Sequence, residues 1–190
     1  MKFSEFPLHP DVQKGLDEAG FTEATSCQQQ TLTHILQNGR DVIVQSQTGT
    51  GKTAAFLLPI VQLLLEHADF KGKKALIVAP TRELAVQIDE EAKLLGAFLP
   101  LRYGAFYGGV GYGQQEDMLK SGVDLVIGTP GRILDFISSH KINPKDFGCV
   151  VIDEADRLLD MGFYPDIKKL LGKMVAPAER RTMLLSATIS

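Results

Sequence analysis

Val42-Ile43-Val44-Gln45-Ser46-Gln47-Thr48-Gly49-Thr50-Gly51-Lys52-Thr53 is the stretch on which the fold of this chain turns. It opens as a short β-branched run, passes through a glycine-containing loop and enters an apolar segment with helical spacing that reaches Glu66. A strand feeding a helix through such a loop opens a βαβ unit. Outward from it, similar runs recur at Asp41–Val44, Ala75–Val78, Asp124–Ile127, Cys149–Ile152 and Met183–Leu185, and Leu101–Tyr107 reads as a further strand. Each of the five has the near-continuous hydrophobicity of a strand covered on both faces. Helical spacing fills the gaps at 53–66, 82–98, 113–121, 131–139 and 155–173. Strands alternating with helices of that length predict an α/β domain, a mostly parallel sheet with helices on both faces and right-handed crossovers. Residues 7–37 read as two helices joined around Gly20-Phe21, an amino-terminal extension (1–38) packed on a domain spanning 39–190.

Composition narrows the class. A chain of 190 residues, 44% apolar and 23% charged, is one ordinary domain. Two cysteines, Cys27 and Cys149, build neither a disulfide framework nor a cysteine zinc cage. The most apolar stretch, Ala54–Leu65, is interrupted by Pro59 and Gln62 and falls short of the roughly 18 residues of a membrane span. The start of the chain, Met1-Lys2-Phe3-Ser4-Glu5, lacks a secretory core, so the expected location is cytoplasmic. A net charge of −3 argues against a broad polyanion-binding face. His9, His34, His67 and His140 show no metal-ligand spacing, and Cys149 reads as core, as do Leu63–Leu65 and Leu158–Phe163.

The chemistry sits at strand ends. Ser46–Thr53 is nearly the phosphate-binding loop G-x-x-x-x-G-K-[ST], with Ser46 at the first glycine. Gly49 and Gly51 let backbone N–H groups of Gln47, Thr48 and Thr50 turn toward a phosphate at a helix amino terminus. Lys52 reaches the β- and γ-phosphates, and the Thr53 hydroxyl is placed to ligate magnesium. A glycine-rich turn carrying a surface lysine is the plainer alternative. The run 149–152 ends in Asp153-Glu154-Ala155-Asp156, three carboxylates after an apolar strand, a costly arrangement without a cation or a task. Asp153 is the expected metal residue, acting through water, and Glu154 the base that activates an attacking water. The alternative is an acidic helix amino terminus, favourable in itself.

D-E-A-D at 153–156 together with the phosphate loop resembles the DEAD-box RNA helicases. Pro80-Thr81-Arg82-Glu83-Leu84-Ala85, Gly108-Gly109, Thr129-Pro130-Gly131-Arg132 and Ser186-Ala187-Thr188 match further family motifs in order. The resemblance implies a RecA-like phosphate-loop NTPase domain that binds ATP and Mg2+. It implies RNA contact by Pro80, Thr81, Arg82, Gly109, Thr129 and Arg132, with helix capping by Thr81 and Thr129 expected alongside. Asp156, Ser186 and Thr188 are implied as a coupling group in which both hydroxyls bond the carboxylate. Glu83 is expected to pair with an arginine rather than touch RNA. Gly20-Phe21-Thr22-Glu23-Ala24-Thr25-Ser26-Cys27-Gln28 resembles the family's adenine-recognition pattern G-F-x-x-P-T-x-I-Q, with Ala24 for proline and Cys27 for isoleucine. On that likeness Gln28 reads adenine bidentately, the Glu23 carbonyl takes the exocyclic amine, and Phe21 stacks or instead packs between the two helices. Phe3 matches an upstream family aromatic, and Ala24 is expected to loosen the turn.

The implied activity is ATP-dependent RNA unwinding, with Lys52, Asp153 and Glu154 catalytic. An ATP-switched RNA clamp, a DNA helicase or translocase, and a nucleotide module without RNA are the alternatives. The chain stops at Ser190, and family members continue into a second RecA-like domain carrying an arginine finger. Without that domain as partner, a factor of about 10³ to 10⁵ in turnover is expected to be missing.

Overall fold

The computed structural model describes residues 1–39, 41–45, 47 and 51–188. Ser46, Thr48, Gly49 and Thr50, expected in the phosphate loop, lie outside them. Six strands, β1 (Val42–Gln45), β2 (Lys74–Val78), β3 (Tyr103–Phe106), β4 (Leu125–Gly128), β5 (Phe147–Ile152) and β6 (Arg181–Ser186), form one sheet in the order β1-β6-β5-β2-β4-β3. Every neighbouring pair is parallel, so the sheet is wholly rather than mostly parallel. Among the described residues the helices are α1 (Pro10–Glu18), α2 (Ser26–Asn38), α3 (Lys52–Glu66), α4 (Arg82–Leu95), α5 (Gly113–Ser121), α6 (Pro130–Ser138), α7 (Ala155–Asp160) and α8 (Tyr164–Lys173).

Alternate side chains of the central strands feed two cores. Ala75, Ile77, Leu125, Ile127, Val151 and Met183 join residues of α1–α4, whereas Leu76, Val78, Val126, Val150 and Ile152 face residues of α6–α8. The amino-terminal helices belong to the first core through Leu16, Leu32 and Ile35. None of the described helices is long and apolar enough to cross a membrane.

Three expectations need correction. β1 is not covered on both faces: it is the sheet's edge, and Ile43 is 65% exposed. Residues 155–173 are not one helix, because Gly162 takes a left-handed φ of +82° and Pro165 starts α8 afresh. In the same stretch Leu158 is core, but Leu159 and Met161 are exposed.

Candidate active site

Parallel strands put all six carboxyl ends on one edge, the edge where open α/β sheets bind ligands. Along it Gly51–Thr53 open the helix after β1, Ser186–Thr188 end β6, and Asp153–Asp156 follow β5. Next come Pro80–Arg82 after β2, Thr129–Arg132 after β4 and Gly108-Gly109 after β3. The Asp153 N–H donates to the Val78 carbonyl at 2.9 Å, locking the acidic strand end to β2.

On the β1 side, charge is concentrated and incompletely matched. Lys52, first residue of α3, places its ammonium 3.2 Å from Asp153 Oδ1 and 3.7 Å from Glu154 Oε1. Asp153 is fully buried; its Oδ1 accepts from the Glu154 N–H at 2.9 Å, while Oδ2 has no partner among the described residues. Burial pushes its carboxyl above the ordinary range, against the pull of the Lys52 charge and the Glu154 N–H. A buried carboxylate oxygen without a donor is what a cation would satisfy. Among the described residues no three metal-ligating side chains cluster. A bound ion would therefore share Asp153 with hydroxyl, phosphate or water oxygens, which suits magnesium. Thr53, half-buried in the first turn of α3, carries a hydroxyl directly after Lys52, whose ammonium meets Asp153.

Glu154 adopts a left-handed backbone, φ +49°, as N-cap of α7. That conformation costs a non-glycine residue roughly 1–2 kcal/mol, and such strain concentrates at functional sites. Its second oxygen lies 3.4 Å from Arg157, a partner that sequence reading missed.

The adenine-like motif reaches the same place. Gln28 is 2% exposed, and its Oε1 accepts from the Thr25 N–H at 2.9 Å. Its Nε2 donates to the Gly51 carbonyl at 3.2 Å, which ties α2 to the phosphate loop. Gly51 is needed twice over: its φ is +72°, and a Cβ would stand 2.6 Å from Gln28 Nε2. The amide keeps one N–H and one lone pair beyond these bonds. Phe21 is half-buried against the core, Phe3 is buried outright, and Glu23 is exposed.

The β3 side is self-satisfied. Arg132, 7% exposed, donates from Nη2 to the Val110 carbonyl at 2.9 Å and from Nη1 to Gln115 Oε1 at 3.2 Å. Its guanidinium lies 4.0 Å from the centre of the Tyr112 ring, and the Tyr112 hydroxyl donates to Asp135 at 2.9 Å. Gln115 clamps both backbone groups of Tyr107, accepting from N–H at 3.3 Å and donating to C=O at 3.1 Å. Arg132 thus lies inside the glycine loop, whereas Arg82 is exposed and sits 4.8 Å over the Tyr107 ring. Among the described residues Glu83 forms no ion pair, contrary to expectation. Thr81 caps α4 by accepting from the Leu84 N–H at 3.2 Å. Thr129 occupies the N-cap position of α6 without a side-chain cap bond. Gly109 is exposed and Pro80 buried. Sequence reading missed Gln115, Tyr107 and Tyr112; the aromatics flanking the glycines were the available signal.

At the end of β6, the Thr188 hydroxyl donates to Asp156 Oδ2 at 3.1 Å, as expected, and the Ser186 hydroxyl donates to the Thr188 carbonyl at 2.6 Å. Desolvation of the Asp156 carboxyl is outweighed by the Arg157 N–H and by the Thr188 hydroxyl and N–H, which hold it below its ordinary value, whereas Ser186, expected to bond the carboxylate as well, gives its one proton to the Thr188 carbonyl.

This chain is 47% identical to an "ATP-dependent RNA helicase RhlB" of Xanthomonas oryzae, over 99% of this chain and 34% of that protein. It is 47% identical to the protein of the same name from Proteus mirabilis, over 100% of this chain and 45% of that one. It therefore spans between a third and a half of these relatives. A solved DEAD box protein from Methanococcus jannaschii superposes with a TM-score of 0.90 at 35% identity, covering 100% of this chain and 51% of that one. A hypothetical ATP-dependent RNA helicase from Sulfolobus tokodaii gives 0.85 at 37% identity, covering 96% and 51%. The DEAD/DEAH box helicase family model matches residues 25–190, and with it a RecA-like sheet whose strand ends carry these motifs in order: the chain belongs to that family.

Proposed function

We propose that this chain is the ATP- and RNA-binding part of an ATP-dependent RNA helicase acting in the cytoplasm. Residues 1–38 form its adenine-recognition extension and 39–190 its first RecA-like domain. The observation that carries the reading is the order of strand ends. Charged groups suited to a nucleotide line β1, β6 and β5, a loop suited to a strand backbone lines β2, β4 and β3, and the β5–β2 pair joins them.

In this reading the phosphate-loop backbone of Gln47–Gly51 and the Lys52 ammonium hold the phosphates, which compete with Asp153 and Glu154 for Lys52. Asp153 and Thr53 would hold magnesium, whose charge offsets that developing on the phosphoryl oxygens. Glu154 accepts the proton of the attacking water as the bond to the leaving ADP oxygen breaks. Gln28 and the Glu23 carbonyl read the base, with Phe21 beside them. Thr81, Arg82, Gly109 and Thr129 hold RNA phosphates, Pro80, buried and without an N–H, supports the turn that presents Thr81, and Arg132 holds the loop that carries Gly109 in place. Asp156 and Thr188, backed by Ser186, link the nucleotide end of β5 to β6, and a chain that spans a third to a half of its relatives leaves a remainder of the protein. We assign to that remainder a second RecA-like domain, the partner that completes both sites.

Glu154→Gln in the full-length protein tests this. Retained ATP and RNA binding with turnover lowered by at least about 10²-fold is expected, together with stimulation by RNA over DNA of equal length. Wild-type turnover in the variant, or equal stimulation by DNA, would contradict it.

A further inference from the structure

The loop that leads into Gln28 is held from its other side by the first residues of the chain. The Ala24 N–H donates to the Met1 carbonyl at 2.9 Å, and the Phe3 N–H donates to the Thr22 carbonyl at 3.1 Å. Lys2 and Glu23 pair between them as an antiparallel bridge. Phe3 is fully buried in the larger core and anchors this short ribbon. Beyond Ala24, Thr25 and Gln28 close a reciprocal capping box, and Gln28 Nε2 bonds the Gly51 carbonyl. Hydrogen bonds therefore run without a break from Met1 to the phosphate loop, and the Glu23 carbonyl lies within that run.

Ala24 is the link whose chemistry can be isolated. Proline at this position, as in the family's pattern, would fix φ but has no N–H to donate. A loop built on proline is stiffened from within; this one is stiffened by a neighbouring strand.

We propose that residues 1–3 act as a strap that positions the adenine-recognition loop, with the Ala24 N–H as its fastening and Phe3 as its anchor, and that the strap supports nucleotide affinity. Ala24 is a positioning residue, not a contact. The proposal rests on the reading of Gln28 and Glu23 as adenine groups. It reverses what the sequence suggests: replacing Ala24 by proline should harm the site, even though it moves the loop toward the family's pattern. Glu23 already sits in an extended bridge, the conformation a residue before proline favours, so Ala24→Pro removes the bond without forcing its neighbour.

Two substitutions separate the mechanisms. Ala24→Gly keeps the N–H and frees φ; Ala24→Pro fixes φ and deletes the N–H. Calorimetric titration with ADP and GDP should show ADP binding within about twofold of wild type for glycine, and weakened about three- to tenfold for proline, the worth of one hydrogen bond. Tighter or unchanged ADP binding by Ala24→Pro, with glycine the weaker variant, would overturn the strap. Gln28→Ala distinguishes the two layers of the argument. An unchanged ADP-over-GDP preference there would overturn the adenine reading and the proposal with it. A reduced preference there, alongside wild-type ADP affinity in Ala24→Pro, would overturn the strap alone. Amide exchange of the unsubstituted protein reads the same bond without relying on a variant that folds. The Ala24 amide should exchange slowly, and more slowly still with ADP; exchange at the rate of an open loop in both conditions would overturn the proposal.

Discussion

The two halves of the binding edge solve the problem of buried polarity in opposite ways. Around β5, Asp153 is fully buried with one oxygen lacking a partner among the described residues, and Lys52 is divided between two carboxylates. Around β3 and β4, a buried arginine finds a carbonyl, an amide and an aromatic ring, and the amide in turn clamps a peptide group. The first arrangement is costly until something cationic and something anionic enter it. The second is built and finished within the chain. One half holds charge that a small ligand could complete, and the other is a rim already completed by the chain's own groups.

The largest break in this contrast comes from Lys52→Ala. Full-length turnover should fall on the order of 10² to 10³-fold, and thermal denaturation of the chain should show lost stability, because the buried Asp153 charge loses its main counter-ion. Unaltered turnover would remove Lys52 from the site.

The two arginines sharpen the comparison. Arg132→Ala should cost about 2–3 kcal/mol in chemical denaturation, since it strips donors from Val110 and Gln115, and Arg132→Lys should not restore that loss because the fork geometry is gone. Arg82→Ala should change stability by less than about 0.5 kcal/mol. In the full-length protein it should instead weaken RNA binding with a salt slope shallower by about 1. Equal stability effects at the two positions would dissolve the distinction between rim and contact.

The smallest effect concerns pH. The folded value of Asp156 lies below its ordinary one, so its contribution to stability is present above the ordinary carboxylate range and is lost as pH falls through the folded value. The difference in melting temperature between wild type and Asp156→Asn should therefore shrink on acidification; a growing difference would reverse the sign.

The charged half was legible in the sequence because its groups are adjacent along the chain: Gly51-Lys52-Thr53 after one strand and Asp153-Glu154 after another. Parallel crossovers then bring those two ends to the same edge. The rim was legible only in outline. Arg132 at a helix amino terminus reads as a phosphate contact, and only the tertiary position of Tyr112 and Val110 turns it inward. Gln115 carries no local signal, since its role depends on where α5 sets it against Tyr107. The exposed face of β1 follows from strand order, which no single strand encodes. The break at Gly162 was present in Gly162-Phe163-Tyr164-Pro165 but masked by apolar spacing that continued across it.

Asp153 Oδ2, without a partner among the described residues, is on the proposed reading the place of a cation beside the nucleotide. ADP titration of the chain by calorimetry, with magnesium and with a chelator, compared between wild type and Asp153→Asn, tests it most directly. Wild type should bind ADP more tightly with magnesium, and the variant should bind with equal affinity in both conditions. A variant that gains as much from magnesium as wild type does, or a wild type that gains nothing, would contradict it.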